Sequence, residues 1–422
     1  MFLNYPPEDL RRLAVNEADE RRFHLAEHYA GQLLDTHPDD ATALNVMGRT
    51  AMHARRFAAA VRFFTRAVAA NPSFKIARKN LAGAQAALAA HRPPPEPRYL
   101  LIRDWGAGFW ADVDHVLGQL LVAEITGRIP LVHWGPGSRF GDGTEADNWT
   151  RYFAPVSSAT LADLEPFRLS GACHPEKWKA VPWTGRVPNR WAGPGSRPSN
   201  LDNLASDAPV VISDFFYSVG CGRDWLEPDH PASGLSVAQI YRWLIAKYLR
   251  PVPEIVAAVG AFAAANFTGG PVMAIHIRGT DKHAETKPFG DLSAQYPALL
   301  DAMSAQHHVH RMFLMTDEAG IAEHFRRTFG DRVVMTDAFR GSGARGIHFD
   351  ESLGGPRLGR EVLIDTLLAA RADCFVGFGP SNVTGMILVL KDWPPGTTAH
   401  VGPNYLDWRK PGAYFCPPVS ER

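Results

Sequence analysis

Val272-Met-Ala-Ile-His-Ile-Arg-Gly-Thr-Asp-Lys282 is a continuous apolar run that ends abruptly in a polar turn. Six residues, β-branched at Val272, Ile275 and Ile277 and closed by a glycine turn, read as a strand buried on both faces. Strands of that kind sit in parallel sheets between helices. Working outward, the same pattern returns at Met312–Met315, Val333–Met335 and Cys374–Gly377, with helical stretches between. Upstream, Tyr99–Arg103, a helix over Val113–Thr126, Ile129–His133 and Val210–Ile212 form an earlier series. A helical region, Val237–Ala265, separates the two. The pattern predicts two facing Rossmann-like domains, an N-terminal lobe over 99–250 (loop-rich at 135–205) and a C-terminal lobe over 251–422, with a ligand in the cleft.

The first 90 residues follow a different rule. Pro38 and Pro72 stand 34 residues apart, the tetratricopeptide period. Leu44, Met47, Gly48, Ala60, Phe64 and Ala67 fall where that repeat places its packing residues, and Leu10, Leu13, Ala14, Ala26 and Leu33 repeat the pattern one period earlier. Small residues at Gly48 and Ala60 let antiparallel helices approach, and Phe64 fills the groove between repeats. Phe74–Leu88 supplies an end helix. The expectation is an α-helical tetratricopeptide-repeat domain over 1–90, joined by the proline-rich segment 91–98, a stiff linker.

Composition narrows the function classes. The 422 residues are 45% hydrophobic and 21% charged, with Lys+Arg and Asp+Glu both at 44, so no global field draws nucleic acid or an anionic membrane. No apolar run reaches the ~18 residues of a membrane span. Four scattered cysteines (Cys173, Cys221, Cys374, Cys416) and the lack of a basic-then-apolar leader predict a reducing compartment, the cytoplasm.

Four turns carry candidate chemistry. Arg278 ends a strand where ligands of α/β sheets bind, and its planar fork suits two phosphate oxygens; an ion pair with Asp281 is an equal alternative. Asp317 ends Phe313-Leu-Met-Thr-Asp317, where a carboxylate accepts both the ring N–H and the amino group of guanine; capping a helix from Glu318 is equally good chemistry. Ser381 and Asn382 stand at the predicted start of a helix after Cys374–Gly377, a ready anion site. Trp105-Gly-Ala-Gly-Phe-Trp110 brings backbone N–H groups close to a phosphate, but the full GxGxxG of dinucleotide enzymes is absent. His307, His308 and His310 lack a paired acid or cysteine, so no metal is expected. Trp178, Trp183 and Trp191 either plug a local core or stack on a sugar, the former being the commoner use.

In order, these motifs resemble the α-1,6-fucosyltransferases of glycosyltransferase family 23, including the nodulation fucosyltransferases, and more distantly the protein O-fucosyltransferases. The likeness covers residues 99–390. It runs through Gly106-Ala-Gly-Phe109 with His115, Thr126-Gly-Arg128, Tyr248-Leu-Arg-Pro-Val-Pro253, the His276–Lys282 motif, Thr316-Asp317, Leu363-Ile-Asp365 and Gly379-Pro-Ser-Asn382. The resemblance implies a GT-B fold and an inverting, metal-independent transfer of fucose or a similar sugar from a GDP-sugar, with no separate cofactor. It implies Arg278 on the β-phosphate, His276 and Asp317 on guanine, and Ser381, Asn382 and the backbone at Gly108 and Phe109 along the pyrophosphate. Glu285 is the implied general base, with Asp112 and Asp114 as competitors whose commoner use is compensating a helix N-terminus. Departures are present: the family's paired arginines are Arg278-Gly279 here, its serine-serine-glutamine is Pro380-Ser381-Asn382, and Glu285 falls one residue early. The expected acceptor is a glycan or protein, with the repeats as a candidate recruiting surface. The rival readings are a UDP-sugar-dependent protein O-glycosyltransferase and a repeat scaffold whose nucleotide-binding domain does no chemistry.

Overall fold

The computed structural model describes residues 5–92, 94–104, 106–185, 200–213, 217, 219–279, 293–341 and 354–402. Five antiparallel helices come first: α1 (Pro7–Asp19), α2 (Phe23–Thr36), α3 (Ala41–His53), α4 (Phe57–Ala70) and α5 (Lys75–Ala90). Helix starts at Pro7, Ala41 and Lys75, and at Phe23 and Phe57, fall at 34-residue intervals. The turns repeat as well, with Arg21 (φ 62°) and Arg55 (φ 56°) both left-handed at the same step. A Cβ on Gly48 would lie 2.4 Å from the Phe64 ring, so glycine there is what lets α3 and α4 close.

The rest of the chain builds two parallel sheets. The first has strand order β2-β1-β4-β3, with β1 Tyr99–Arg103, β2 Ile129–His133, β3 Cys173–His174 and β4 Val210–Ser213. The second has order β7-β6-β5-β8-β9, with β5 Val272–Ile277, β6 Arg311–Thr316, β7 Val333–Val334, β8 Cys374–Phe378 and β9 Thr398–Val401. β1, β2 and β5 keep the bounds the apolar runs predict. β3 and β9 were not expected, being short and half polar. The helix after β1, α6 (Phe109–Thr126), starts four residues before the predicted Val113, because Gly108 serves as its N-cap in extended conformation. The helical region between the lobes is two helices, Val237–Tyr248 and Pro253–Asn266, split where Pro251 and Pro253 interrupt the backbone ladder.

One apolar cluster runs from Leu10 and Phe64 in the repeats through Val113 and Trp225 to Phe313 in the second sheet and Ile387 in the helix Asn382–Leu390 that follows β8. The repeats are therefore packed on the first lobe rather than held off it by the proline segment. Trp225 Nε1 donates to buried Glu27 of α2 at 2.9 Å, and the Phe63 ring meets Trp225 edge-on at 6.2 Å. Around that contact Arg62 pairs with Glu227 at 3.1 Å, Arg223 with Asp35 at 3.6 Å, and Arg55 with Asp207. Trp178 and Trp183 are almost fully buried in a second cluster under β1 and β4, so they are core residues and not a sugar platform. Trp191 lies outside the described residues.

The lobes meet through the helix Gly355–Ala369. A Cβ on Gly355 would lie 2.0 Å from the carbonyl oxygen of Arg139, and one on Gly359 would lie 2.4 Å from the Tyr152 hydroxyl. Trp110 Nε1 donates to Thr366 Oγ1 at 2.7 Å across the same seam. Among the described residues no helix is long and apolar enough to cross a membrane.

Candidate functional site

Register places the polar turns of the second sheet together. Ile277 pairs with Thr316 across β5 and β6, so the next residues, Arg278 and Asp317, leave the sheet side by side. Arg278 Nε stands 3.0 Å from Asp317 Oδ2, and the Gly279 N–H donates to Asp317 Oδ1 at 2.9 Å. The carboxylate thus grips the turn after β5 with both oxygens. It does not cap the following helix, which runs Ala319–Phe329 with Glu318 at its N-cap. Asp281, the other expected partner of Arg278, lies outside the described residues.

Gly279 is tightly enclosed. A Cβ there would lie 2.0 Å from Oε2 of Glu318, so the position of the second arginine in the resembled family has a carboxylate against it. Among the described residues the end of β5 therefore carries one guanidinium, with the acids Asp317 and Glu318 beside it, where the resemblance leads one to expect two adjacent guanidiniums.

His276, one residue inside the strand end, is held on both sides. Its Nδ1 is 2.8 Å from Thr384 Oγ1 on the helix Asn382–Leu390, and its carbonyl accepts from the Tyr296 hydroxyl at 2.9 Å. Burial, helped by neighbouring Arg278, pushes the imidazole down to about 3 against a smaller opposing pull from Asp317. The ring is neutral at physiological pH, with one nitrogen donating and the other accepting.

Ser381 is the N-cap of the helix Asn382–Leu390; its Oγ accepts the Val383 N–H at 3.3 Å and its side chain is buried. Asn382 opens the first turn and is half-buried. These residues, with Thr384, bring the start of that helix against His276. Arg278, Asp317, His276, Ser381 and Asn382 thus share the carboxyl edge of one parallel sheet, where ligands of open α/β sheets bind.

A further acid at that edge was read in the sequence only as a marker of motif order. Asp365 is buried, accepts from Thr336 Oγ1 at 2.6 Å just beyond β7, and is pushed up to about 7 by burial, with Arg340 opposing. The signal was an acid inside the apolar helical run Val362–Leu368.

The first lobe contributes differently. Phe109 packs its ring among Trp110, Trp134, Phe140 and Tyr152, so only its backbone faces the turn that Gly108 closes. Asp112 and Asp114 are both buried in α6. Asp112 accepts the Gly106 and Ala107 N–H groups, and Asp114 accepts the Tyr241 hydroxyl at 2.5 Å in the contact with the helix Val237–Tyr248. Glu285 lies outside the described residues. His307 donates to the Gly396 carbonyl at 2.9 Å and the His310 ring packs under Gly269. Among the described residues no three metal-ligating side chains cluster.

No family model matches the chain, and no curated protein matches it. Among solved structures it is similar to NodZ alpha-1,6-fucosyltransferase co-crystallized with GDP, at 18% identity and a TM-score of 0.45, covering 69% of this chain and 92% of that one. Fucosyltransferase NodZ from Bradyrhizobium gives 18% identity and 0.44, covering 69% and 92%. POFUT1 in complex with GDP-fucose gives 14% and 0.42, covering 73% and 99%.

Proposed function

We propose that the chain is a glycosyltransferase that takes its sugar from a GDP-sugar, fucose or a similar one, and passes it to a glycan or protein acceptor. The observation that carries the reading is the pairing of Arg278 with Asp317 beside the neutral His276 and the helix start at Ser381–Asn382. A diphosphate arriving at this edge offers Arg278 a stronger anion than one carboxylate, while the helix N-terminus favours the same charge. Guanine is the base whose ring N–H and amino group match a carboxylate acceptor, and Asp317 and Asp365 are acids at that edge able to offer one. The transfer in this reading is inverting and metal-independent, with Glu285 as base. The 34-residue period supports reading α1–α5 as tetratricopeptide repeats that help choose the acceptor.

Calorimetry with GDP, GDP-fucose and UDP tests the donor. GDP binding with no response to UDP is the expected result; preference for UDP overturns it. Arg278→Ala should lower transfer roughly a hundredfold, about 2–4 kcal/mol of lost transition-state stabilisation, with the fold intact. Near-normal transfer in that variant contradicts the assignment, and so does strict loss of activity in EDTA. Tight GDP binding with no turnover of any GDP-sugar favours the non-catalytic scaffold, to which the acid beside Gly279 lends weight.

A further inference from the structure

The turn between β1 and α6 looks at first like a phosphate cradle. Gly106 has φ 83°, and successive amides in such a turn point into a common hollow of the kind that receives anions. In this protein the hollow is already filled. Asp112, wholly buried in the first turn of α6, accepts the Gly106 N–H on Oδ2 at 3.1 Å and the Ala107 N–H on Oδ1 at 2.9 Å. On the other side of the same turn, Arg139 Nε donates to the Gly106 carbonyl at 2.8 Å.

We propose that Asp112 is a positioning residue that fills the anion slot of the Gly106–Gly108 turn, so that the donor's diphosphate is held by the C-terminal lobe alone. The inference rests on the GDP-sugar reading and sharpens it. Two amides bonded to a carboxylate are not available to phosphate oxygens. A buried carboxylate in the turn also repels a second anion brought against it, and that repulsion is strong where water is excluded. Arg278 and the helix start at Ser381 then carry the charge. The first-lobe turn, held in one shape from both sides, orients the uncharged end of the substrate. The same two bonds and complete burial remove Asp112 from the competition for general base, since a proton acceptor must reach the substrate hydroxyl.

The test uses the full-length chain with Asp112→Asn and Asp112→Ala. Hydrogen exchange in the peptide spanning 104–111 should accelerate at least tenfold at Gly106 and Ala107 in both variants, while the later turns of α6 keep their protection. GDP affinity should stay within threefold of the parent, whereas Arg278→Ala should lose tenfold or more. In transfer assays kcat per folded site, with sites counted by GDP-binding stoichiometry, should fall at least tenfold with the donor KM within threefold, so that loss of folded protein does not enter the comparison. Should Asp112→Ala fail to fold, the near-isosteric Asp112→Asn carries the comparison. A tenfold loss of GDP affinity in a folded Asp112 variant overturns the proposal, because the turn then holds phosphate; unchanged exchange at the two amides overturns it equally. If the parent chain binds no GDP, the donor reading fails by itself, and the exchange result still decides whether Asp112 holds the turn.

Discussion

Two seams hold this molecule together, and each has an indole N–H at its centre. Between the repeats and the first lobe, Trp225 donates to the acid Glu27, ringed by ion pairs from Arg62, Arg55 and Arg223. Between the two lobes, Trp110 donates to the hydroxyl of Thr366, beside glycines that let backbone touch backbone. The first seam is charged and titratable at its centre; the second is neutral at its centre and limited by space, with the Arg242–Asp392 ion pair elsewhere between the lobes. Protonation and salt should therefore move the first, and side-chain volume the second.

The largest effect tests the neutral seam. Gly355→Ala puts a methyl group 2.0 Å from a carbonyl oxygen that belongs to backbone and cannot rotate away. We expect a loss of about 3 kcal/mol or more in urea unfolding, independent of pH between 5 and 9. A loss below 1 kcal/mol would show that the lobes separate easily here.

Glu27 tests the charged seam. Burial pushes its carboxyl up from 4.5 to about 8, with Trp225 opposing and Asp224 adding to the rise. The folded state holds this proton more tightly than the unfolded chain does. Its penalty is absent below pH 4.5, grows as pH rises from there, and is complete above about 8. Glu27→Gln should fall about 1 kcal/mol below the parent near pH 4, where the new amide N–H groups need partners, and exceed it by about 2 kcal/mol at pH 8.5. A variant less stable than the parent at both pH values would mean that the charged form is what the seam requires.

The smallest effect belongs to the rim. Arg62 is partly exposed, and its pair with Glu227 is screened, so Arg62→Ala should cost less than about 1 kcal/mol, and less still in 1 M salt. A salt-insensitive loss would assign the effect to packing of its stem over Phe63, where its guanidinium carbon lies 5.7 Å from the ring centroid.

Much of the frame was readable from residue order. The 34-residue spacing of packing residues marked the first four helices, and the stretch Phe74–Leu88 marked the fifth. Continuous apolar runs located β1, β2 and β5, because strands buried on both faces admit few polar residues. The short edge strands Cys173–His174 and Thr398–Val401 carry no such signal. The site was legible as a set of strand ends and illegible as a set of bonds. Nothing local in the sequence joins Asp317 to Gly279, 38 residues away, or Glu27 to Trp225, 198 residues away. Such pairs are set by strand register and helix packing. Trp178 and Trp183 show the converse: sequence offered two uses, and burial under β1 selected the core.

The continuous apolar cluster has a consequence for the chain's covalent continuity. Residues from Leu10 to Ala84 share it with residues of both lobes, so the buried contact between them does not depend on the covalent link at 91–98. Cleaving that segment would break one peptide bond and leave the buried contacts of α2 and α4 in place. The product should be a nicked protein that migrates as one particle on a sizing column and separates into two fragments only in denaturant.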